Sequence, residues 1–243
     1  MLDFIIPDWP APPWIKAATT TRQGGFSAAP FDSLNLGQTV GDDLDCVLKN
    51  QALLKESLGL SKDPLWLKQT HGTKVISANH TADRSADAVV ANEPQSVCAV
   101  LTADCLPLLV CSKTRHCVAA IHAGWKGLVA GVIENSIKAL ACPAEDLLVW
   151  LGPAIGPRAF VVGEDVFWQF VKKRPEFKVA FEKIGNKQWL ANLYQLARLH
   201  LNKLGIGAIY GGQHCTYTNK TQFFSFRRDK LTGRQASLIW IHQ

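Results

Sequence analysis

The sequence predicts a mixed α/β (α+β) fold, and three observations lead there. Short apolar runs recur between residues 65 and 121, each closed by turn residues, and stretches of helical spacing stand before and after them. Strands that return through tight turns, interleaved with helices, point away from a doubly wound parallel sheet. The chain has 243 residues, 47% of them hydrophobic, which is enough to bury a full core and suits one domain over 1–243 better than two small ones.

After a proline-rich start, Ala17 to Thr21 reads as a β-branched strand that breaks at Arg22-Gln23-Gly24-Gly25, where paired glycines permit unusual backbone. Asp42 and Asp43 stand where a helix needs its cap. Leu44, Val47, Leu48, Leu54 and Leu58 follow at helical spacing, with Gly59 as the stop. The runs Leu65 to Leu67, Val75-Ile76, Ala88 to Val90, Val97 to Leu101 and Leu106 to Cys111 read as buried strands. Ser112 to His116 is a polar turn, so Cys117 to Ile121 should return antiparallel. A helix over about Lys126 to Leu140 and a strand over Leu147 to Leu151 come next, then the stiff loop Gly152 to Pro157. The last third holds helices near Glu164 to Lys173 and Leu190 to Leu204, and strands near Ala208 to Tyr210, Phe223 to Phe226 and Ser237 to Ile241. No internal repeat or low-complexity linker interrupts them.

Composition narrows the function classes. Early prolines and Asp3 break the apolar stretch a signal peptide needs, and no later run reaches the roughly 20 residues of a membrane span, so a soluble cytoplasmic protein is expected. Seven cysteines, odd in number and irregular in spacing, do not form a secreted disulfide framework; most read as small buried hydrophobes. A net charge of +6 favours anionic partners, but Lys and Arg are scattered and no nucleic-acid motif gathers them. Phosphate or a phosphorylated small molecule would meet the same charge.

Three polar residues sit where strands run out: His71, Cys105 and His122. Strand ends can converge on one sheet edge, and thiolate with neutral imidazole suits Zn²⁺; three ligands leave the fourth position open, as a catalytic ion requires. Satisfied core histidines with a buried thiol fit the same spacing, as does a cysteine-hydrolase dyad of Cys105 and His122; Asp104 could orient either arrangement, or simply stabilise the turn. Arg22 joins a bidentate anion-binding head to the glycine loop of Gly24 and Gly25, whose amides could approach an oxyanion; an ordinary turn arginine is the plain alternative. Arg227 and Arg228 could meet a substrate or form a solvated cluster with Asp229.

Several motifs in fixed order carry a resemblance. They are Thr21-Arg22-Gln23-Gly24-Gly25-Phe26-Ser27, Ser33-Leu34-Asn35-Leu36-Gly37, Val40-Gly41-Asp42-Asp43, Gln69-Thr70-His71-Gly72 and Ala86-Asp87-Ala88. Thr102-Ala103-Asp104-Cys105, His122-Ala123-Gly124-Trp125-Lys126-Gly127, Gly152 to Pro157 and Phe223-Phe224-Ser225-Phe226-Arg227-Arg228-Asp229 complete them. From about Thr20 to Trp240 the chain resembles the YfiH/DUF152 family, variously described as laccase-like multicopper polyphenol oxidases, purine nucleoside phosphorylases and peptidoglycan editing factors. The resemblance implies a layered sandwich with mixed and antiparallel sheets, related to bacterial toxin-like cysteine hydrolases. It places the zinc ligands at His71, Cys105 and His122; from the residues themselves, substrate or phosphate contacts are expected at Arg22, Gly24, Gly25, Asn35 and Arg227.

The implied reaction is phosphorolysis of adenosine, inosine and methylthioadenosine to base and ribose 1-phosphate, with some adenosine deamination. Rival readings are an amidase acting on a peptidoglycan precursor and a copper-dependent phenol oxidase; Cu²⁺ could load the site in vitro, but a multicopper centre needs more clustered histidines than seven scattered ones supply. A zinc-stabilised interaction module is the non-enzymatic alternative. Lys126 stands where many members carry arginine, keeping the charge and losing the bidentate fork.

Overall fold

The strand Leu106–Ser112, apolar in nearly every position, is buried on both faces because it lies between two layers. Leu106, Leu108 and Val110 point toward helices, while Leu109 and Cys111 point toward a second sheet. The computed structural model describes residues 2–79 and 83–242. Its first half runs β1 (Phe4–Ile5), β2 (Ile15–Thr20), α1 (Leu44–Ser57), β3 (Val75–Ser77), β4 (Ala88–Ala91), β5 (Val97–Thr102), β6 (Leu106–Ser112) and β7 (Val118–Ala123). There follow α2 (Trp125–Ala130), α3 (Val132–Leu140), β8 (Leu147–Leu151), β9 (Val161–Gly163) and α4 (Glu164–Lys173). The chain closes with β10 (Phe181–Gly185), β11 (Gln188–Ala191), α5 (Leu193–Lys203), β12 (Ile209–Gly211), α6 (Phe226–Asp229) and β13 (Gln235–Ile241).

A six-stranded mixed sheet in the order β12-β8-β6-β7-β4-β3 packs against a four-stranded antiparallel sheet, β1-β2-β13-β5. Val89, Leu109, Val118 and Trp150 of the first meet Val100, Ile239 and Ile241 of the second. Helices α2, α3 and α5 cover the other face of the large sheet, and Leu54 of α1 covers the small one with Val97, Ala99 and Leu238. The expected layered α/β sandwich is therefore observed, and the hairpin expected around Ser112 to His116 forms as β6 and β7. No helix among the described residues is long and apolar enough to cross a membrane.

Several expected elements differ, each for a local reason. Leu65 to Leu67 does not form a strand; Leu65 makes one isolated bridge to Cys98. The helix expected over Lys126 to Leu140 is two helices, because Gly131 adopts φ +108°, a conformation that interrupts the helical ladder. The helix expected from Leu190 begins at Leu193, where the Asn192 side chain accepts the Gln195 amide; residues 188–191 are a strand. Phe223 to Phe226 is no strand either: Ser225 caps the short α6, and the two buried phenylalanines fill the core from irregular backbone. The small sheet β10-β11-β9 was not legible as strands, since its residues are largely half-exposed and lack clean alternation.

Spacing alone also overstates the buried face of α1. Val47 and Leu54 are buried, whereas Leu44 and Leu48 are 53% and 47% exposed. Leu54→Ala should cost about 2–5 kcal/mol in chemical denaturation, and Leu48→Ala less than about 0.5 kcal/mol. Equal losses at the two positions would contradict this packing.

Candidate functional site

Asp87, immediately before β4, is fully buried, and its carboxylate organises the site. Oδ1 accepts the His71 amide at 2.9 Å and the His122 ring Nδ1 at 2.8 Å. Oδ2 accepts the Gly72 amide at 2.7 Å, the Thr70 amide at 3.2 Å and the Thr70 hydroxyl at 3.0 Å. Three consecutive amides reach one carboxylate only if the turn curls tightly, and His71 takes φ +60° to do so. Burial pushes the Asp87 carboxyl up, but the His122 ring and the turn amides outweigh it and hold it well below the usual carboxylate range.

The bond to Asp87 uses Nδ1 of His122 and leaves Nε2 facing the site. His122 lies near the end of β7, opposite Pro107 of β6, and Cys105 is the residue just before β6. The Cys105 sulfur is 3.7 Å from Nε2 of His71. One donor atom each from His71, Cys105 and His122 lie within 4.8 Å of one another, so the three could hold a metal ion. His71 is exposed, Cys105 half-buried and His122 buried, so the cluster opens outward past His71. Gly124 keeps it open: a Cβ there would lie 3.0 Å from both the Cys105 sulfur and the His71 ring. Gly127 lets α2 pack on the His71 turn, where a Cβ would come within 2.9 Å of the Gly72 carbonyl.

Burial pushes the Cys105 thiol up, yet His122 and His71 outweigh it and leave it at about 6. Burial likewise lowers His122, and the Cys105 and Asp87 charges overcome it, raising the imidazole to about 9. Sulfur and ring thus stabilise each other as an ion pair.

A second carboxylate shapes the opposite wall. Asp104, at φ +92°, accepts the Thr216 hydroxyl and the Arg227 amide, each at 2.6 Å, and its own carbonyl accepts the Ile155 amide. It therefore draws the 152–157 loop, the 215–219 loop and α6 against the turn that carries Cys105. Its contacts are with these loops rather than with a dyad.

The remaining expected contacts lie in supporting structure. The three nitrogens of the Arg22 guanidinium meet the carbonyls of Asp32 and Lys220 and the Asp32 carboxylate, with Phe224 beneath it. Amides of the glycine loop are engaged inside the protein: Gly25 by the Ser33 hydroxyl, Phe26 by the Asn50 side chain, Ser27 by the Ser33 carbonyl. Gly25 is needed because a Cβ would lie 2.3 Å from that same Ser33 carbonyl. Arg227 binds the Val161 carbonyl over the Phe160 ring, and Arg228 pairs with Asp229. Asn35 is buried, its Oδ1 accepting the amides of Gly37 and Arg234.

That last bond leads to a residue sequence reasoning passed over. Gln235 pairs with Thr102 in the β13–β5 ladder, which sets Arg234 beside the turn carrying Asp104 and Cys105. One guanidinium nitrogen binds the carbonyls of Thr232 and Gly233; Nε and Nη2 make no protein hydrogen bond among the described residues. Burial lowers the Arg234 pKa, and the charges of Cys105 and Asp104 oppose that. Asp87 was likewise not singled out, although a carboxylate inside the apolar stretch Ala86 to Val90 is a signal in itself.

In metal-free protein the thiolate should persist down to about pH 6, so alkylation of Cys105, followed by peptide mass analysis, should be half-maximal there. His122→Ala removes the cation and should move the midpoint up toward the ordinary thiol range near ~8.5. An unchanged midpoint would contradict the ion pair.

A family profile described as multi-copper polyphenol oxidoreductase laccase matches residues 16–242. A Haemophilus influenzae protein named purine nucleoside phosphorylase is 50% identical over 242 residues, covering 98% of this chain and 99% of its own. The Escherichia coli protein named purine nucleoside phosphorylase YfiH is 48% identical over 243 residues, covering 99% of this chain and all of its own. Among solved structures, a Neisseria meningitidis protein of the DUF152 family superposes with TM-score 0.96 at 46% identity, over 99% of both chains. YlmD from Geobacillus stearothermophilus superposes with TM-score 0.83 at 29% identity, over 96% of this chain and 94% of that one. With a matching profile over nearly its whole length and relatives of about half-identical sequence, the chain belongs to the YfiH/DUF152 family.

Proposed function

We propose that the protein is a zinc-dependent purine nucleoside phosphorylase, acting on adenosine, inosine and methylthioadenosine, with adenosine deamination as a side reaction. The observation that carries the reading is the convergence of His71, Cys105 and His122 beside the orienting Asp87, in a chain about half identical to proteins named purine nucleoside phosphorylase. The donor set fits zinc. Zinc–sulfur and zinc–nitrogen bonds at a tetrahedral angle separate sulfur and nitrogen by about 3.6 Å; the observed separation is 3.7 Å. The thiol already favours its anion, and His122, its Nδ1 held by Asp87, has Nε2 as the one ring nitrogen that can ligate once the metal displaces its proton. The described residues form one such three-donor group, which suits a single ion. A bound zinc ion would supply Lewis-acid polarisation at its fourth position.

The chain's own residues account for the rest. Phosphorolysis breaks the bond between the anomeric carbon and the purine, joins a phosphate oxygen to that carbon and passes the phosphate's proton to the base. Phosphate must be held and aimed at the anomeric carbon, a task for a cationic side chain with N–H donors beside the metal ligands. Arg234 is assigned that task, because it stands beside the Cys105 turn with Nε and Nη2 unclaimed among the described residues. Asn35 holds the Arg234 backbone, and Arg22 with Gly25 braces the loop behind Asn35 through Ser33 and Asn50, while Gly24 turns the chain between them at φ +89°. Arg227 closes the wall opposite by donating its amide to Asp104.

The test is release of hypoxanthine from inosine and adenine from adenosine, with and without phosphate, on protein of measured metal content. Base release should require phosphate and fall at least about 100-fold in His71→Ala and Cys105→Ala, with melting temperatures checked in parallel. Arg234→Gln should raise the KM for phosphate by about 10–100-fold, the loss of charged hydrogen bonds. Full metal occupancy without base release would overturn the proposal.

A further inference from the structure

We propose that Cys117 and Cys142 are a thiol–disulfide pair: a redox-modification site on the helix side of the large sheet, whose reaction partner is a low-molecular-weight disulfide. Their sulfurs are 2.7 Å apart, side by side, although 25 positions separate them in the chain. Cys117 is the residue before β7 and Cys142 lies just past α3, so the pair spans the packed junction of a central strand and the helix that covers it. Cys117 is 5% exposed within the main core; Cys142 is partly exposed. An incoming small disulfide therefore meets Cys142 first, and Cys117 stands behind it as the resolving sulfur. Burial and the neighbouring Cys142 push the Cys117 thiol up to about 12, so Cys117 is not the sulfur that attacks first; its closeness to the Cys142 sulfur drives the second, intramolecular step.

The chemistry balances. The Cys142 thiolate attacks one sulfur of the small disulfide, a protein–thiol mixed disulfide forms, and one small thiolate leaves. Cys117 then loses its proton to a departing thiolate, and its sulfur displaces the second small thiolate from Cys142. Two protein thiols and one small disulfide become one protein disulfide and two small thiols, with two electrons passing to the reagent. The closed loop of residues 117–142 contains His122, Gly124, α2 and α3 but not Cys105. Oxidation thus ties together the segment behind the candidate site without consuming its sulfur, and it restricts the unfolded chain.

The experiment equilibrates metal-loaded full-length protein with excess oxidised glutathione, blocks free thiols by alkylation and digests with trypsin. The expected product links the peptides of residues 116–126 and 139–158, two hydrogens lighter than their sum. The oxidised protein should melt about 5–10 °C higher, reversibly with dithiothreitol. Cys142→Ser should abolish both effects, and Cys46→Ser should keep them. Recovery of residues 117 and 142 separately alkylated or separately glutathionylated would overturn the proposal. The linkage is read on wild-type protein, so it holds or fails whether or not a variant folds poorly.

Discussion

A carboxylate removed from water must be matched bond for bond, and Asp87 is matched by three amides, one hydroxyl and one imidazole. Leaving such a group unpaired would cost several kcal/mol, on the order of 3–5, so the turn at residues 70–72 and the ring of His122 are not free to move independently of it. The constraint fixes the left-handed backbone of His71, the orientation of the His122 ring and the distance between the two rings, whose centroids are 4.8 Å apart. Cys105 is then brought to them by the sheet rather than by any local motif.

The two sheets explain where that convergence happens. The chain leaves β5 in the small sheet and enters β6 in the large one through a turn of three residues, Ala103 to Cys105. Such a crossing exposes backbone that neither sheet satisfies, and Asp104 ties it down through Thr216, Arg227 and Ile155. The sulfur comes out at the start of β6, next to His122 near the end of β7, because an antiparallel pair places those two ends together. Glycine at 124 then decides whether the donors face open space or a side chain.

The apolar runs that became β4 to β8 were legible in the sequence because burial on both faces removes alternation and leaves a continuous signal. Two of the three donors were visible as polar residues at strand ends, Cys105 before β6 and His122 near the end of β7, whereas His71 follows no strand and sits in the turn that wraps Asp87; the family resemblance singled out all three. Less visible were features set by contacts distant in sequence. Arg234 gains its place from a ladder with residue 102, and Asn35 from bonds to residue 234. Arg22 read as an anion binder because its type and its glycine neighbours permit that, yet its partners at Asp32 and Lys220 are fixed by folding. The split at Gly131 and the short β9 to β11 sheet follow from single backbone conformations and half-exposed strands, which periodicity does not encode.

An open, three-donor site oriented by Asp87 is the feature on which the proposed chemistry depends, and X-ray absorption at the zinc edge of the purified, zinc-loaded protein tests it most directly. The expected first shell is one sulfur at about 2.3 Å, two imidazole nitrogens at about 2.0–2.1 Å and one further light-atom ligand. A shell of four protein ligands, or one lacking sulfur, would contradict it.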